Sequence, residues 1–380
     1  MKRLRIAVAG ILNKPIQQNS IGGTEVFTYQ LIEGLVKKGH HVILFATSDS
    51  KTSADKISVC SSKDIRGIVE GGIETRFPYH LLQSRNIIDK SNKFDIIHNN
   101  YFDSFLFTAF SEWLKCPLIT TAHNDFWQFP HLSKILKSFH RHKRDGLIFV
   151  SEKARELAKY PPDSFTIYNG IDANTYKFDS VGGDYGLWLS RMVPHKGAKE
   201  AVEVANKANI KLKLNHYSTI KPEYTQYYQE HVKKFLNKKI MIVYNDDLPS
   251  KINLYQKAKV FLFPVMWEEP FGYVLIEAMA CGTPVVAYAK GATPEVIEDG
   301  VTGFLVNPSD NDKRGNWIVK QSGITGLVKA INIIKQMSQT NYINMRKKCR
   351  ERVEKYFTID RMVDQYLELY NKLILDYKPI

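Results

Sequence analysis

The sequence of 380 residues contains few cysteines and no long apolar run. Its four cysteines, Cys60, Cys116, Cys281 and Cys349, are far apart and form no C-x-x-C pair. Together with 11 scattered histidines, they indicate neither a disulfide framework nor a zinc site, and they favour a reducing compartment. No uninterrupted apolar stretch approaches the ~20 residues that a membrane-spanning helix needs. The chain also lacks short-period repeats and low-complexity tracts, so a solenoid or a disordered protein is not expected.

The beginning of the chain, MKRLRIAVAGILNKP, superficially resembles a signal peptide because basic residues precede an apolar run. That run stops at Asn13 and Lys14, is short for the apolar region of a signal, and is not followed by a small-residue cleavage site. We therefore interpret it as a buried first strand and expect a cytoplasmic protein.

Acidic residues are under-represented relative to basic ones. The chain has 53 Lys and Arg against 39 Asp and Glu, which gives a net charge of +14. Such an excess is typical of proteins that meet nucleic acid, anionic lipid or phosphorylated substrates, although general solubility explains it equally well. Since no recognised nucleic-acid module accompanies the charge, we do not expect a nucleic-acid partner.

One stretch, DFWQFPHLSKILKSFHRHKRDG (125–146), interleaves aromatic and basic residues. Its cations are Lys134, Lys137, Arg141, Lys143 and Arg144. A basic amphipathic helix with adjacent aromatic residues favours contact of residues 131–144 with an anionic membrane, at its inner face for a cytoplasmic protein. A solvated helix face remains the alternative.

Short apolar runs alternate with helical patterns, which indicates parallel sheets covered on both faces. The predicted strands are 4–9, 41–47, 94–98, 117–123, 146–151 and 165–169, then 185–190, 210–215, 239–244, 260–265 and 284–288. Residues 171–186 are polar and aperiodic, and we place the boundary between two doubly wound α/β domains there. Ligands of such sheets bind beyond the carboxyl ends of the strands, so we expect both domains to face a central cleft.

Gly22-Gly23-Thr24 opens the first predicted helix, which spans 23–39. Glycines at a helix start let backbone N–H groups approach a phosphate. The spacing is not G-x-G-x-x-G, and no acidic residue ends the second strand, so a dinucleotide site is disfavoured. A plain turn with Thr24 as the helix cap is an equally good interpretation.

Two cations, Arg191 and Lys196, lie in the loop after the first strand of the second domain, in SRMVPHKG. An arginine fork and a mobile lysine charge are suited to a diphosphate, although single cations are usually solvated surface charges. Asp246-Asp247 might suggest a metal site, but both precede a predicted helix and are interpreted as N-terminal caps.

The segment EEPFGYVLIEAMACGTPVV (268–286) places Glu277 inside an apolar helix that begins near Gly272. Charge in such a helix is costly unless something satisfies it. Glu269 stands eight positions earlier, before the Pro-Phe-Gly turn. A helix start flanked by two carboxylates can bind phosphate through its N–H groups while each carboxylate accepts hydroxyl hydrogens, and a nucleotide sugar has that layout.

The segments IGGTE, NGID, RMVPHKG, EEPFGYVLIEAMACGTPVVA and GATPEVIEDGVTGFLV, in this order, resemble glycosyltransferase family 4. The resemblance covers nearly the whole chain, and its E-x7-E element is specific. It implies the GT-B fold, with an N-terminal acceptor domain at 1–172 and a nucleotide-sugar donor domain at 180–356. A C-terminal helix, 357–380, is then expected to pack back on the first domain.

The resemblance also implies roles for single residues. Glu277 would bind the ribose hydroxyls of the donor, and Glu269 the hydroxyls of the transferred sugar. The remaining implied donor contacts are Arg191 and Lys196 at the diphosphate, the backbone N–H groups of Phe271, Gly272 and Tyr273, and the loop of Gly22 and Gly23. His123 would lie near the anomeric carbon, with a core or capping role as its alternative. The predicted catalytic set is Glu269, His123, Arg191 and Lys196.

The resemblance implies a retaining hexosyltransferase that needs neither a metal nor another cofactor, because fixed cations and helix N–H groups stabilise the departing diphosphate. We expect same-face attack, without Glu269 as a nucleophile. A UDP-sugar is the favoured donor and GDP-mannose the alternative. A glycan or lipid-linked intermediate of envelope polysaccharide is the expected acceptor. Residues 215–224 and 242–247 lack glycines common in the family, which leaves the base open.

Two other functions fit the same residues. One is a nucleotide-sugar epimerase or hydrolase on the same fold, which would release nucleotide without an acceptor. The other is a non-catalytic protein that holds a nucleotide sugar or an anionic glycan. The complete set of Glu269, Glu277, Arg191 and Lys196 argues against a degenerate site. The sugar, the linkage and the oligomeric state cannot be derived from these residues.

Overall fold

The computed structural model describes residues 2–12, 14–20, 22–66, 72–100, 109–123, 134, 145–159, 164–215, 222–244 and 247–377. The chain forms two compact units. Unit 1 contains Met1–Gly170 together with Ile359–Ile380, and unit 2 contains Ile171–Thr358. Each unit is Rossmann-like, with a parallel sheet covered by helices, so the predicted fold class is confirmed.

Within the described residues, the sheet of unit 1 has seven parallel strands in the order β3-β2-β1-β4-β5-β6-β7. The strands are β1 Arg5–Ala9, β2 His41–Phe45, β3 Asp55–Ile57, β4 Ile96–Asn99, β5 Leu118–Ala122, β6 Asp145–Phe149 and β7 Phe165–Thr166. The chain moves outward from β1 to β3 and then continues on the other side of β1 with β4. The loops after β1 and β4 therefore flank the switch point, where ligands of such sheets bind.

The helices of unit 1 include one from the end of the chain. Within the described residues they are α1 Gly23–Lys37, α2 Ser62–Arg66, α3 Gly72–Asp89, α4 Glu152–Ala158 and α12 Ile359–Asp376. Helix α1 ends before Gly39, whose φ of +86° suits a glycine after a helix. Helix α12 packs on α1 at Gly34, where an added Cβ would lie 2.5 Å from Val363 Cγ2.

A buried polar network ties α12 to the sheet. His98 Nδ1 lies 2.5 Å from the Tyr370 hydroxyl, and His98 Nε2 lies 2.8 Å from Thr121 Oγ1. The Tyr366 hydroxyl lies 3.0 Å from the same Thr121 oxygen. Burial holds the pKa of His98 well below its usual range, so this histidine is a neutral member of the core.

Within the described residues, the sheet of unit 2 has six parallel strands in the order β10-β9-β8-β11-β12-β13. The strands are β8 Tyr185–Leu189, β9 Lys211–Asn215, β10 Ile240–Val243, β11 Ala258–Phe263, β12 Val285–Tyr288 and β13 Gly303–Val306. Here the order reverses between β8 and β11. The loops after these two strands carry Arg191, Lys196 and Glu269, three of the residues predicted to contact the donor.

The helices of unit 2 surround this sheet. In the part of unit 2 that the structure describes, they are α5 Ala198–Lys207, α6 Pro222–His231, α7 Leu248–Gln256, α8 Tyr273–Ala280, α9 Thr293–Val296, α10 Gly323–Gln336 and α11 Gln339–Tyr356. Asp247 caps α7 by accepting the N–H of Ser250 at 2.7 Å, which confirms its predicted role. Asp246 lies outside the described residues.

The structure corrects one expectation about local structure, and a second one concerns residues that it does not describe. Thr24 is not the cap of α1, because the N-cap position falls on Gly22 and has no side-chain hydrogen bond. The predicted membrane-contacting segment 131–144 lies outside the described residues apart from Lys134. In the part of the chain that is described, no helix combines the length and apolar character needed to cross a membrane.

Candidate active site

The loop after β8 is locked to the loop after β11 at the switch point of unit 2. Residues Pro194–Lys196 form a single 3-10 turn that ends at Gly197 with φ of +75°. A Cβ at Gly197 would lie 2.1 Å from the Pro264 carbonyl oxygen, so this approach of two loops requires glycine. The N–H of Met266 donates to the His195 carbonyl at 2.9 Å. The position of Lys196 is thereby set by the backbone.

Lys196 and Glu269 form a buried ion pair. Lys196 Nζ lies 2.6 Å from Glu269 Oε2, and the two side chains are 10% and 11% exposed. The indole N–H of Trp267 donates to the same oxygen at 2.8 Å, and Lys196 Nζ lies 4.1 Å above the Trp267 ring. Both donors reach Oε2, and among the described residues no donor is directed to Oε1. This leaves Oε1 available for a ligand hydroxyl.

The backbone of Glu269 is held by the segment after β12. The N–H of Ala292 donates to the Glu269 carbonyl at 2.8 Å, and the N–H of Gly291 donates to Glu268 Oε2 at 2.7 Å. Gly291 has φ of +57°, and a Cβ there would lie 2.2 Å from the Glu269 carbonyl oxygen. Arg314 adds an ion pair to Glu268 at 2.9 Å. Glu268 therefore orients its neighbour.

Arg191 follows β8 and is exposed, and it makes no ion pair with the residues that the structure describes. Burial, together with the nearby charges of Lys196 and Arg191, lowers the pKa of His195 to about 4. His195 is therefore neutral near pH 7, and the positive charge of this loop comes from Arg191 and Lys196.

The start of α8 lacks a side-chain cap. Gly272, at the N-cap position, has φ of +87°, a left-handed conformation that favours glycine. The N–H of Leu275 donates to the Gly272 carbonyl at 3.0 Å. Phe271 is buried against Phe357, with ring centroids 5.9 Å apart. The N–H groups at the start of a helix favour an anion.

Protein side chains satisfy the buried charge of Glu277, without the need for a bound ligand. The Tyr176 hydroxyl donates to Oε1 at 2.8 Å, and the Tyr255 hydroxyl donates to Oε2 at 2.9 Å. Lys251 Nζ lies 2.8 Å from Oε1 and 2.7 Å from Oε2. Burial and the adjacent Glu277 charge hold the pKa of Tyr176 well above its usual range, so its hydroxyl keeps its proton.

Sequence reasoning missed these partners of the two glutamates. Lys251 and Tyr255 are four residues apart on α7, a spacing that places them on one face and could have suggested a shared contact. Tyr176 lies in the polar segment that was assigned to the domain boundary. Trp267 precedes the glutamate pair and gave no periodic signal.

In unit 1, His123 lies directly after β5. Its Nε2 is 3.3 Å from Asn100 Oδ1, and its ring centroid is 4.5 Å from that of Phe27. Burial lowers the pKa of His123 to about 3, so the imidazole is neutral at neutral pH. A neutral imidazole can donate one N–H and accept one hydrogen bond.

The first turn of α1 is covered by the side chain of one of its own residues. The Glu25 side chain folds back over Gly22, where an added Cβ would lie 1.9 Å from Glu25 Oε2. Burial raises the pKa of this carboxyl. Gly22 therefore has a local reason to be glycine, independent of the phosphate contact predicted for Gly22 and Gly23.

Comparison with known proteins places this geometry in a family. Residues 21–175 match the family model described as Glycosyltransferase Family 4, and residues 182–355 match Glycosyl transferases group 1. The N-acetyl-alpha-D-glucosaminyl L-malate synthase of Bacillus anthracis is 24% identical over 391 residues, covering 94% of this chain and 96% of that protein. The O-antigen chain mannosyltransferase C of Escherichia coli is 22% identical over 386 residues, covering 95% and 97%.

The solved structures include Anabaena Alr3699/HepE in complex with UDP and glucose. It superimposes with a TM-score of 0.74 at 16% identity, covering 97% of this chain and all of that one. At this identity the likeness establishes a shared fold.

Proposed function

The chain is a glycosyltransferase of family 4 with the GT-B fold, and on this premise we propose that it is a retaining enzyme that works without a metal. It moves a sugar from a nucleoside-diphosphate sugar to a glycan or lipid-linked acceptor. Unit 2 binds the donor, and unit 1 binds the acceptor.

The observation that carries the donor site is the buried Lys196–Glu269 pair, which follows the same switch point as the start of α8. An ammonium group has three N–H donors, so Lys196 can hold Glu269 and a phosphate oxygen together. Arg191 adds a planar fork for a second oxygen. These cations and the N–H groups after Gly272 stabilise the charge that develops on the departing diphosphate.

The two glutamates bind hydroxyl groups at different parts of the donor. Glu269 Oε1 accepts a hydroxyl of the transferred sugar while Oε2 keeps its two protein donors. Glu277 accepts a ribose hydroxyl from the side of Lys251. Because Glu269 is engaged with Lys196 and Trp267, we assign it to binding and orientation rather than to nucleophilic attack.

In the proposed transfer, the bond between the anomeric carbon and the diphosphate oxygen breaks. The acceptor hydroxyl attacks the same face of the sugar, and its proton passes to the departing phosphate oxygen. The resemblance to the family assigns His123 to this reaction, and the neutral state of its imidazole suits hydrogen bonding to a sugar hydroxyl.

The donor is proposed to be a UDP-sugar, since Alr3699/HepE has been solved with UDP. GDP-mannose is the alternative, because the Escherichia coli relative is named a mannosyltransferase. That name also includes an O-antigen chain, which supports an envelope polysaccharide as the destination of the sugar. We place the reaction in the cytoplasm, at the inner face of the membrane, where an acceptor linked to lipid would be exposed.

Calorimetric titration with UDP and GDP, each with and without EDTA, tests the donor site. We expect one of the two nucleotides to bind, with the same affinity when EDTA is present. Lys196→Met should weaken this binding about tenfold or more, because it removes a charge-assisted contact to phosphate. Lys199→Met, a change at an exposed lysine on α5, provides the matched control.

The results that would contradict the proposal are distinct. Absence of binding by either nucleotide would refute the donor site, and loss of binding in EDTA would refute metal independence. Retention is tested separately by NMR of the anomeric configuration of the product. An inverted configuration would overturn the proposed stereochemistry and leave the donor site intact.

A further inference from the structure

The segment of unit 2 that precedes β8 is held by α11. Arg350 Nη1 donates to the Ala173 carbonyl at 2.7 Å and to the Tyr176 carbonyl at 2.6 Å. Arg346 Nε donates to the Asp179 carbonyl at 2.8 Å. These contacts fix the backbone around Tyr176, and they therefore fix the point from which its side chain extends.

From that backbone, the Tyr176 side chain reaches the carboxylate of Glu277. Its hydroxyl donates to Oε1 at 2.8 Å, and the Tyr255 hydroxyl donates to Oε2 at 2.9 Å. Both tyrosines are buried. A carboxylate rotates easily about its last torsion, and one donor at each oxygen restricts that rotation.

The third partner of Glu277 shows which side of the carboxylate a ligand can reach. Lys251 Nζ bridges the two oxygens, and its side chain is 23% exposed against 5% for Glu277. Among these three partners Lys251 is the most exposed, since Tyr176 and Tyr255 are buried. A ligand hydroxyl therefore meets Glu277 from the side of Lys251.

We propose that Tyr176 is a positioning residue of the donor site, which holds the Glu277 carboxylate in the orientation that receives a ribose hydroxyl. This inference rests on the proposed function, in which Glu277 contacts the ribose. It extends the donor site to the segment of unit 2 that precedes β8. Tyr176 acts through Glu277 and makes no contact with the reacting atoms.

The test is Tyr176→Phe, titrated with UDP and with 2′,3′-dideoxy-UDP, or with the guanosine counterparts if GDP is the nucleotide that binds. The wild-type protein should prefer the nucleotide that carries both hydroxyls. Tyr176→Phe should lower the affinity for UDP about tenfold, in line with the loss of one hydrogen bond to a charged group. The affinity for dideoxy-UDP should change less than about twofold, because that ligand makes no hydroxyl contact with Glu277.

Tyr185→Phe is the matched control. It also removes one buried hydroxyl of unit 2, which donates to the Leu254 carbonyl at 2.8 Å and does not touch Glu277. This variant should keep the wild-type ratio of the two affinities. Glu277→Gln should reduce the preference for UDP over dideoxy-UDP, as is expected of Tyr176→Phe.

The contradictory outcomes separate the inference from its premise. If Glu277→Gln removes the preference for UDP and Tyr176→Phe retains it, the positioning role is wrong and the donor site stands. Equal weakening of both ligands by Tyr176→Phe would show a structural role and also overturn the inference. If the wild-type protein binds both ligands equally, or neither, the ribose contact of Glu277 fails and the inference fails with it.

Discussion

At the scale of single residues, the two buried glutamates differ in how their oxygens are satisfied. Among the residues that the structure describes, Lys196 and Trp267 donate to one oxygen of Glu269, whereas Glu277 receives a donor at both oxygens. A ligand hydroxyl can therefore join Glu269 without displacing a protein contact. At Glu277 the proposed ribose hydroxyl would meet a carboxylate whose two oxygens already accept protein hydrogen bonds, so the orientation of this carboxylate would matter more.

This difference predicts a division of labour between Glu269→Gln and Glu277→Gln. Glu269→Gln removes the ion pair but keeps the positive charge of Lys196 for a phosphate, so the affinity for UDP should stay within about threefold. Turnover should fall about tenfold or more, because a charge-assisted contact to the transferred sugar is lost. Glu277→Gln should instead lower the affinity for UDP about tenfold.

Calorimetry gives the affinities in this comparison, and steady-state transfer to the acceptor gives the turnover. Equal losses of UDP affinity in the two variants would contradict the division of labour. Thermal unfolding of both variants provides the control for stability, since each change alters a buried hydrogen-bonded group.

At the scale of elements, the position of Lys196 depends on a loop contact that only glycine allows. Gly197 and Gly39 both have positive φ, but they differ in their surroundings. A Cβ at Gly197 would lie 2.1 Å from the Pro264 oxygen, whereas a Cβ at Gly39 would meet nothing within 4 Å. An alanine at Gly39 would therefore introduce backbone strain alone, whereas an alanine at Gly197 would introduce backbone strain and a steric clash.

Gly197→Ala should cost more stability than Gly39→Ala. Left-handed backbone costs a non-glycine residue about 1 kcal/mol at either position, and the alanine at 197 must also push the loop after β11 away. That shift moves Lys196 relative to Glu269, so Gly197→Ala should weaken UDP binding as well. Thermal unfolding and calorimetry measure the two effects. Equal shifts in melting temperature with unchanged UDP affinity in both variants would refute the role of this loop contact.

The elements themselves were largely predictable from apolar patterning. Each strand predicted from an apolar run is present, because both faces of a parallel sheet are buried. Two strands were missed. β3, with the sequence DKI, has one apolar residue and lies at a sheet edge, and β13, with the sequence GFLV, is short and begins at a glycine.

The candidate site was predictable as single residues and not as a set of contacts. Glycines, cations and carboxylates after strands were visible in the sequence because their chemistry suits a nucleotide sugar. Their pairing was not visible, since Lys196 and Glu269 are 73 positions apart and Tyr176 and Glu277 are 101 apart. No local periodicity encodes which side chain satisfies a buried charge across such distances.

At the scale of the whole molecule, the last helices belong to different units although they are neighbours in sequence. Val353 on α11 is fully buried in unit 2, and Val363 on α12 is fully buried in unit 1, where it packs against Gly34. Ten positions along the chain thus separate two hydrophobic cores. The same substitution at the two valines can test whether each core is stabilised by its own unit.

Val363→Asp and Val353→Asp each place an unpaired carboxylate in an apolar core, which costs several kcal/mol. Val363→Asp should deprotect the amides of β1, β4 and α1 in hydrogen exchange and leave UDP binding intact. Val353→Asp should deprotect α8 and α11 and abolish UDP binding, because the proposed donor site lies in unit 2. Hydrogen exchange with mass spectrometry resolves the two patterns, since local stability differs between cooperative units. If both variants expose both units to the same extent, the two units unfold together and the assignment of α12 to the stability of unit 1 alone is wrong.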